Sequence, residues 1–171
     1  MNPQPFAEDQ DKPDWEKMLG WIPLAASLVG LAICAMYYNQ LPDRIPMHFD
    51  LHGNPDNWSG KFGIFVPSFI GLGIFALFQV IIRAVPPSAW NYPVKITPEN
   101  AGRQQTYARR LLLALNSVVN VSLALISWHL VKNSINGTFH LSNILMFVLL
   151  GGVFGTLAIY FYYALRDKTP D

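Results

Sequence analysis

The amino-acid sequence predicts an all-α integral membrane protein with four transmembrane helices. Only 13% of its 171 residues are charged and 51% are hydrophobic, whereas a soluble domain carries about 25% charged residues. Four long windows contain no Asp, Glu, Lys or Arg, and they cover residues 18–42, 62–82, 111–131 and 133–165. Windows of this length match the hydrocarbon core of a bilayer, which is about 30 Å thick and which a helix crosses with its backbone hydrogen bonds satisfied.

The chain begins with a polar, acidic segment at residues 1–18, which holds five acidic side chains and two lysines. A cleaved signal peptide starts with a short basic region, so we expect the first span to remain as an anchor. The four-helix domain is predicted over residues 19–165, followed by a tail at 166–171. Its spans are expected at about 19–40, 62–85, 111–131 and 143–165.

The positive charges predict the orientation in the membrane. The two tails and the second loop hold nine Lys and Arg residues, and the other two loops hold three. The more basic side of a membrane protein faces the cytoplasm. We therefore expect both termini on the cytoplasmic side of a bacterial plasma membrane. Aromatic residues then form a belt on each face: Trp21, Trp90, Tyr92 and residues 160–163 inside, and Tyr37, Tyr38 and Trp58 outside.

Polar and small residues within the spans predict how the helices pack. Asn116, Asn120 and Ser127 recur on one face of the third span, and we expect them to make hydrogen bonds between helices rather than to line a substrate path. Gly151 and Gly155 form a small-residue pair on the fourth span. Such a pair allows close approach of a neighbouring helix, within the fold or in a dimer.

The first external loop, residues 41–61, is richer in reactive side chains than a connector requires. Between residues 47 and 52 it alternates strictly between apolar and polar residues, which is typical of a short extended segment with one buried face. The apolar residues are Met47, Phe49 and Leu51, and the polar residues are His48, Asp50 and His52. Pro46 before the segment and the Gly-Asn-Pro sequence after it argue against a helix.

Three interpretations of this loop remain open. It could be a structural lid whose apolar residues rest on the helix ends. It could bind a partner, an exported peptide or protein, with His52 and Trp58 as anchors. It could also hold a divalent metal such as zinc, with His48, Asp50, His52, Asp56 and His140 of the other external loop as the candidate ligands.

The second loop is predicted to lie on the cytoplasmic side. Thr97 as N-cap, Pro98 at the first helical position and Glu99 in the first turn predict the start of a helix. This helix carries several basic side chains and leads directly into the third span. We expect it to lie on the anionic inner leaflet, or to bind a cytoplasmic protein.

Several functional classes find no support in the sequence. It contains no phosphate-binding glycine loop, catalytic triad or nucleic-acid motif, and a net charge of +1 provides no field to attract nucleic acid. We predict no catalytic residues and no cofactor other than the zinc considered above, which would make the protein a metal-binding protein or metalloenzyme. A further alternative is an accessory subunit of a larger membrane complex, since the loops are short.

Two motifs resemble a known family. The run from Leu41 to Phe49, with His52, Gly53, Trp58 and Lys61 and a following span, resembles the N-terminal membrane domain of SdpI-type toxin-immunity proteins. The later run from Thr97 to Asn100, with Gln105, Tyr107 and Arg110, is similar to the second signature of that family. The resemblance covers roughly residues 19–131.

The resemblance implies a role in protection against a secreted killing factor, with relay of its presence to a cytoplasmic repressor. Full-length members continue into a longer C-terminal membrane region, so we expect a protein of the toxin-immunity or signalling type, with less support for the signalling half. The matching positions form a candidate partner-binding surface: His48, Asp50, His52, Trp58 and Lys61 outside, and Pro98, Glu99 and Asn100 inside.

Overall fold

The computed structural model describes residues 13–138 and 143–167, which form four α-helices and one β-hairpin. All four helical segments are long and apolar enough to cross a membrane, which confirms the prediction of four spans. In chain order the elements are α1 (Asp14–Tyr37), β1 (Arg44–Phe49), β2 (Pro55–Gly60), α2 (Val66–Ala84), α3 (Ala101–Asn136) and α4 (Asn143–Arg166). Short 3-10 turns at Tyr38–Gln40, Lys61–Phe65 and Pro87–Ala89 connect them.

Helix α1 starts at Asp14, before the start at residue 19 that hydropathy predicted. Pro13 precedes it in an extended conformation, and Asp14 and Glu16 occupy its first turn. Acidic side chains are favourable there because they interact with the positive end of the helix dipole. The last residues of the predicted polar segment are therefore helical, and Glu16 is buried.

Helix α3 is the centre of the bundle. It packs against α1, α2 and α4, and α1 also packs against α2. At 36 residues and 1.5 Å per residue it is about 54 Å long, which exceeds the thickness of the hydrocarbon core. It ends at Gly137, whose φ of 67° is the left-handed conformation that glycine adopts at helix C-termini.

The predicted start of α3 was wrong by one turn. Asn100, not Thr97, is the N-cap residue. The carbonyl oxygen of Thr97 accepts hydrogen bonds from the backbone N–H groups of Asn100 and Ala101, at 3.2 and 3.0 Å. Residues 98–100 thus form a separate turn that leads into the helix.

A buried polar seam connects three helices, and it consists of Ser27, Ser68, Asn116, Asn120 and Ser127. The Ser27 hydroxyl on α1 donates to the Asn120 side-chain oxygen at 2.6 Å, and the hydroxyls of Ser68 on α2 and Ser127 on α3 lie 3.1 Å apart. Asn120 also donates to Asn116. These contacts confirm the prediction that the polar face of the third span makes hydrogen bonds between helices.

Gly151 and Gly155 were predicted to allow close packing within the fold or in a dimer; the first alternative was wrong, and the second stays a prediction. A methyl group at either position would meet no atom within 4 Å in the described part of the chain. The close contact is made by Gly152, where a methyl group would lie 2.6 Å from a methyl carbon of Val118 on α3. Sequence spacing identified the small residues of α4 but not which of them faces α3.

Candidate functional site

The segment between α1 and α2 folds into a β-hairpin on the helix ends. Strands β1 and β2 pair antiparallel, with Arg44 opposite Gly60 and Ile45 opposite Ser59. The backbone N–H of Lys61 donates to the carbonyl oxygen of Asp43 at 3.0 Å and closes the base of the hairpin. The extended segment was predicted at 47–52, but β1 covers 44–49 and a turn follows it.

The inner face of the hairpin is packed onto the bundle. Ile45 is fully buried and belongs to an apolar cluster with Cys34 of α1, Ile64 and Leu130 of α3. Met47 and Phe49 pack against the same cluster and are partly buried, which confirms the predicted inward face at these two positions. The hairpin is therefore held to the helices by side chains of β1.

Leu51 does not belong to this inner face, and its placement there was wrong. Its side chain is 90% exposed, because the chain has left the strand and lies in the turn. Gly53 lies in that turn with a φ of 83°. Glycine adopts this left-handed conformation without a steric cost, because it has no Cβ atom. The strict alternation in the sequence thus continues past the end of the strand.

Asp50 organises the turn. One carboxylate oxygen accepts hydrogen bonds from the backbone N–H groups of His52 and Asn54, each at 2.8 Å, and the other accepts from the Asn54 side chain at 3.3 Å. The hydrogen bond from the Asn54 backbone is the main reason that the pKa of Asp50 lies below its usual value. Its lone pairs are therefore largely committed to the loop itself.

His48 and Asp56 form an exposed pair across the two strands. The His48 Nδ1 atom lies 2.5 Å from an oxygen of Asp56, and both side chains are about half exposed or more, at 69% and 48%. His52 lies beyond β1, in the turn, and is also exposed. The polar side chains of the loop thus have two roles: His48 and Asp56 form a pair on the surface, and Asp50 stabilises the turn.

The metal hypothesis remains a prediction at this surface. Within residues 13–138 and 143–167, no group of three or more His, Cys, Asp or Glu side chains lies close enough to hold an ion. The pair of His48 and Asp56 would supply two of the three or four ligands that zinc requires. His140, the predicted ligand from the other loop, lies outside the described residues.

Trp58 lies on β2, and Lys61 directly follows this strand at the base of the hairpin. Trp58 lies opposite Pro46 in the sheet and is 36% exposed. The Lys61 ammonium group lies 4.9 Å from the ring centroid of Tyr38, a distance at which a cation is attracted to an aromatic face. The predicted site residues of the first loop therefore all lie on or beside one hairpin.

The predicted residues of the second loop lie at the opposite end of the bundle. Pro98 and Glu99 are exposed, whereas Asn100 is fully buried. The Asn100 side chain accepts from the Thr97 backbone at 2.9 Å and donates to the Lys95 carbonyl oxygen at 3.0 Å, so it braces the loop. About 30 helical residues, or roughly 45 Å, separate Asn100 from Leu130 near the hairpin.

An ion cluster that the sequence patterns did not predict lies close to this second loop. Glu16 of α1 is 2% exposed, and its two carboxylate oxygens contact the guanidinium groups of Arg109 and Arg110 of α3, the second at 3.2 Å. Arg110 also lies over the Trp15 ring at 4.8 Å. The signal was an acidic residue just before one span and two arginines just before another.

Comparisons with known proteins support the resemblance for part of the chain. Residues 25–72 match the family model described as Domain of unknown function (DUF1648). No curated protein and no solved structure matches the chain. The matched segment contains the second half of α1, the whole hairpin and the first turns of α2. Over residues 25–72 the chain is therefore similar to DUF1648, a domain found at the N-terminus of SdpI-type proteins.

Proposed function

We propose that this protein is a non-enzymatic, multi-pass protein of the bacterial plasma membrane, of the toxin-immunity type, whose hairpin binds an exported peptide. One observation carries the proposal: the hairpin is fixed to the bundle through buried Ile45 while His48, Asp56 and Trp58 remain exposed. A surface that is already ordered before binding loses less conformational entropy when it binds a partner.

The hairpin also provides a backbone surface for a peptide. Among the described residues the sheet contains two strands, so each strand has one edge without a paired strand. Extended peptides bind such edges through main-chain hydrogen bonds, and neighbouring side chains provide specificity. Trp58 would contribute aromatic contact area, and the His48 and Asp56 pair would contribute charge and hydrogen bonds.

The binding function is tested by challenging a deletion strain with the peptides that the source organism secretes. We expect the wild-type protein to restore growth and the His48→Ala/Trp58→Ala variant to fail, at equal membrane abundance. Lys95→Ala, which removes an exposed charge at the other end of the bundle, is the matched control. Full protection by the double variant, or no added sensitivity of the deletion strain, would contradict the proposal.

The proposal requires the hairpin to face outward and the termini to face the cytoplasm, as the distribution of Lys and Arg indicates. Cysteine labelling tests this orientation in a Cys34→Ser background. A membrane-impermeant maleimide should label His52→Cys in intact cells, and Lys95→Cys only after permeabilisation. Both positions are exposed in the structure, so the reverse pattern would place the hairpin inside.

Metal binding at the hairpin is a second candidate function, favoured by the close approach of His48 and Asp56. Protein purified without added metal should then contain about one equivalent of zinc, lost in the His48→Ala/His52→Ala variant. Equal metal content in the two proteins would remove this candidate. Peptide binding and metal binding are thus distinguished by two separate measurements on overlapping variants.

A role within a larger complex is a further candidate, and α4 is the element that favours it. This helix packs against α3 and exposes large apolar side chains such as Phe147 and Phe154, which lipid or another membrane protein would cover. Partners at exposed Pro98 and Glu99 on the cytoplasmic side would belong to the same assembly. Purification from native membranes in mild detergent should recover the complex, whereas a single species would argue against it.

A further inference from the structure

The end of the bundle opposite the hairpin contains a large cavity. It has a volume of about 940 Å³ and lies between α1, the end of α2, the following connection and the first turns of α3. Its lining includes four cationic side chains, Lys17, Arg83, Arg109 and Arg110, and one acidic side chain, Glu16. Several of the lining residues are exposed, among them Trp21 and Arg83, so the cavity is open to the surface.

The cavity retains positive charge after the ion pairs are considered. The Glu16 carboxylate is shared by Arg109 and Arg110, and Lys17 pairs with Asp14 at the surface. Arg83 has no carboxylate partner in the part of the chain that the structure describes. One carboxylate thus faces two arginines while a further arginine stands nearby, and this excess of positive charge favours a bound anion.

One polar donor in the lining lacks an acceptor. The indole N–H of Trp90 is buried and has no hydrogen-bond partner among the described residues. A buried donor without an acceptor is unfavourable, and a bound acceptor would remove this cost. Gln105 of α3 also lines the cavity, so amide and indole donors and cations are present in the same space, whereas the Thr106 hydroxyl donates to the Gly102 carbonyl oxygen at 2.9 Å.

Most of the remaining lining is apolar, and it lies close to the expected membrane surface. Trp21 and Ile82 lie near the ends of α1 and α2, and Leu113 lies one turn beyond the arginine pair on α3. Tryptophan is enriched at the level of the lipid headgroups. A ligand with an anionic head and an apolar body would fit both parts of the lining, whereas a free anion would leave the apolar part uncovered.

We propose that this cavity binds the phosphate group of an anionic phospholipid from the surrounding leaflet. Arginine recognises phosphate through two parallel, charge-assisted hydrogen bonds. Basic pockets between transmembrane helices on the cytoplasmic side are suited to anionic headgroups. Most of the length of α3 separates the cavity from the hairpin. Lipid binding in the cavity therefore does not depend on the peptide binding proposed above.

Lipid binding is tested on the full chain, purified in detergent and titrated with a short-chain phosphatidylglycerol. Phosphatidylcholine with the same chains and inorganic phosphate are titrated in parallel arms. The variants are Arg83→Gln and Trp90→Phe, which remove a charge and an N–H from the lining without removing a partner of Glu16. Lys95→Gln is the matched control, because it removes one exposed charge at the same end of the bundle outside the cavity.

We expect one phosphatidylglycerol to bind per chain, with affinity about tenfold lower in Arg83→Gln, since one charge-assisted contact is lost. Trp90→Phe should also weaken binding, and Lys95→Gln should bind like the wild type. Equal binding of phosphatidylcholine, or equal losses in Arg83→Gln and Lys95→Gln, would overturn the proposal. Inorganic phosphate that binds as tightly as the lipid, and displaces it, would assign the cavity to a soluble phosphate and overturn the lipid source.

Discussion

Ile45→Ala should release the hairpin from the helices while leaving the four-helix bundle folded. Ile45 is fully buried in the cluster that joins β1 to α1 and α3. The substitution removes three buried carbon groups, worth about 0.8 kcal/mol each, or about 2.4 kcal/mol before any cavity is counted. With the cavity term, buried isoleucine-to-alanine substitutions cost about 2–5 kcal/mol.

Hydrogen exchange measures this loss directly in the hairpin. A cost of 2.4 kcal/mol corresponds to opening that is about 50-fold more frequent, since 1.4 kcal/mol is a factor of ten. The backbone N–H of Lys61, which closes the hairpin base, should exchange faster by at least this factor. Ile45→Val removes a single carbon group and should cost only about 0.5–1.5 kcal/mol.

Leu51→Ala is the control for this experiment. It removes a side chain of similar size from the same hairpin, but that side chain is 90% exposed, so exchange should be unchanged. Equal exchange rates in Ile45→Ala and Leu51→Ala would refute the argument that β1 fixes the hairpin to the bundle. The reasoning behind the peptide-binding proposal would then fail as well, because the binding surface would not be ordered in advance.

Three further predictions concern the seam and the turn. A double-mutant cycle of Ser27→Ala and Asn120→Ala, measured by unfolding in detergent, should give a coupling energy of about 0.6–1.7 kcal/mol, as found for hydrogen bonds between membrane helices. A coupling energy of zero would contradict the 2.6 Å contact between the two side chains. Gly71→Ala should lower the melting temperature, because its methyl group would lie 2.6 Å from the Ser27 hydroxyl, whereas Gly73→Ala meets no atom within 4 Å and should not. The turn around Asp50 should be most stable above the usual carboxyl pKa of 3.8, and it should loosen as the pH falls through the lowered pKa of Asp50. Hydrogen exchange of the turn should show this pH dependence, and Asp50→Asn should abolish the contribution of this carboxylate.

The helical spans could be predicted because the bilayer imposes one requirement on long stretches of chain. A segment without charges must cross as a helix, since lipid offers no hydrogen bonds to its backbone. The inward face of α3 was predictable for the same reason, since Asn116 and Asn120 are costly to expose to lipid. The limits of α1 were less predictable, because its first turn is stabilised by the helix dipole and a buried ion pair rather than by hydropathy.

The first loop was predicted in type but not in detail. The alternation that identified an extended segment continues from Met47 to Leu51, yet the strand ends at Phe49, where the Asp50 carboxylate accepts the backbone N–H groups of the turn. Local hydrogen bonding of this kind competes with strand pairing and cannot be read from hydrophobic periodicity. The contact between His48 and Asp56 across the strands was likewise not predictable from this periodicity.

Composition and charge placement were enough to predict four apolar helices, the polar face of α3, and one loop that is unusually rich in polar side chains. Tertiary structure decided which of these residues meet: Glu16 with Arg109 and Arg110, Gly152 rather than Gly151 against α3, and the hairpin and the basic cavity at opposite ends of the bundle. The reason is physical. Hydropathy is a property of each segment, whereas contacts between residues distant in the sequence depend on the rotation and depth of each helix in the bundle.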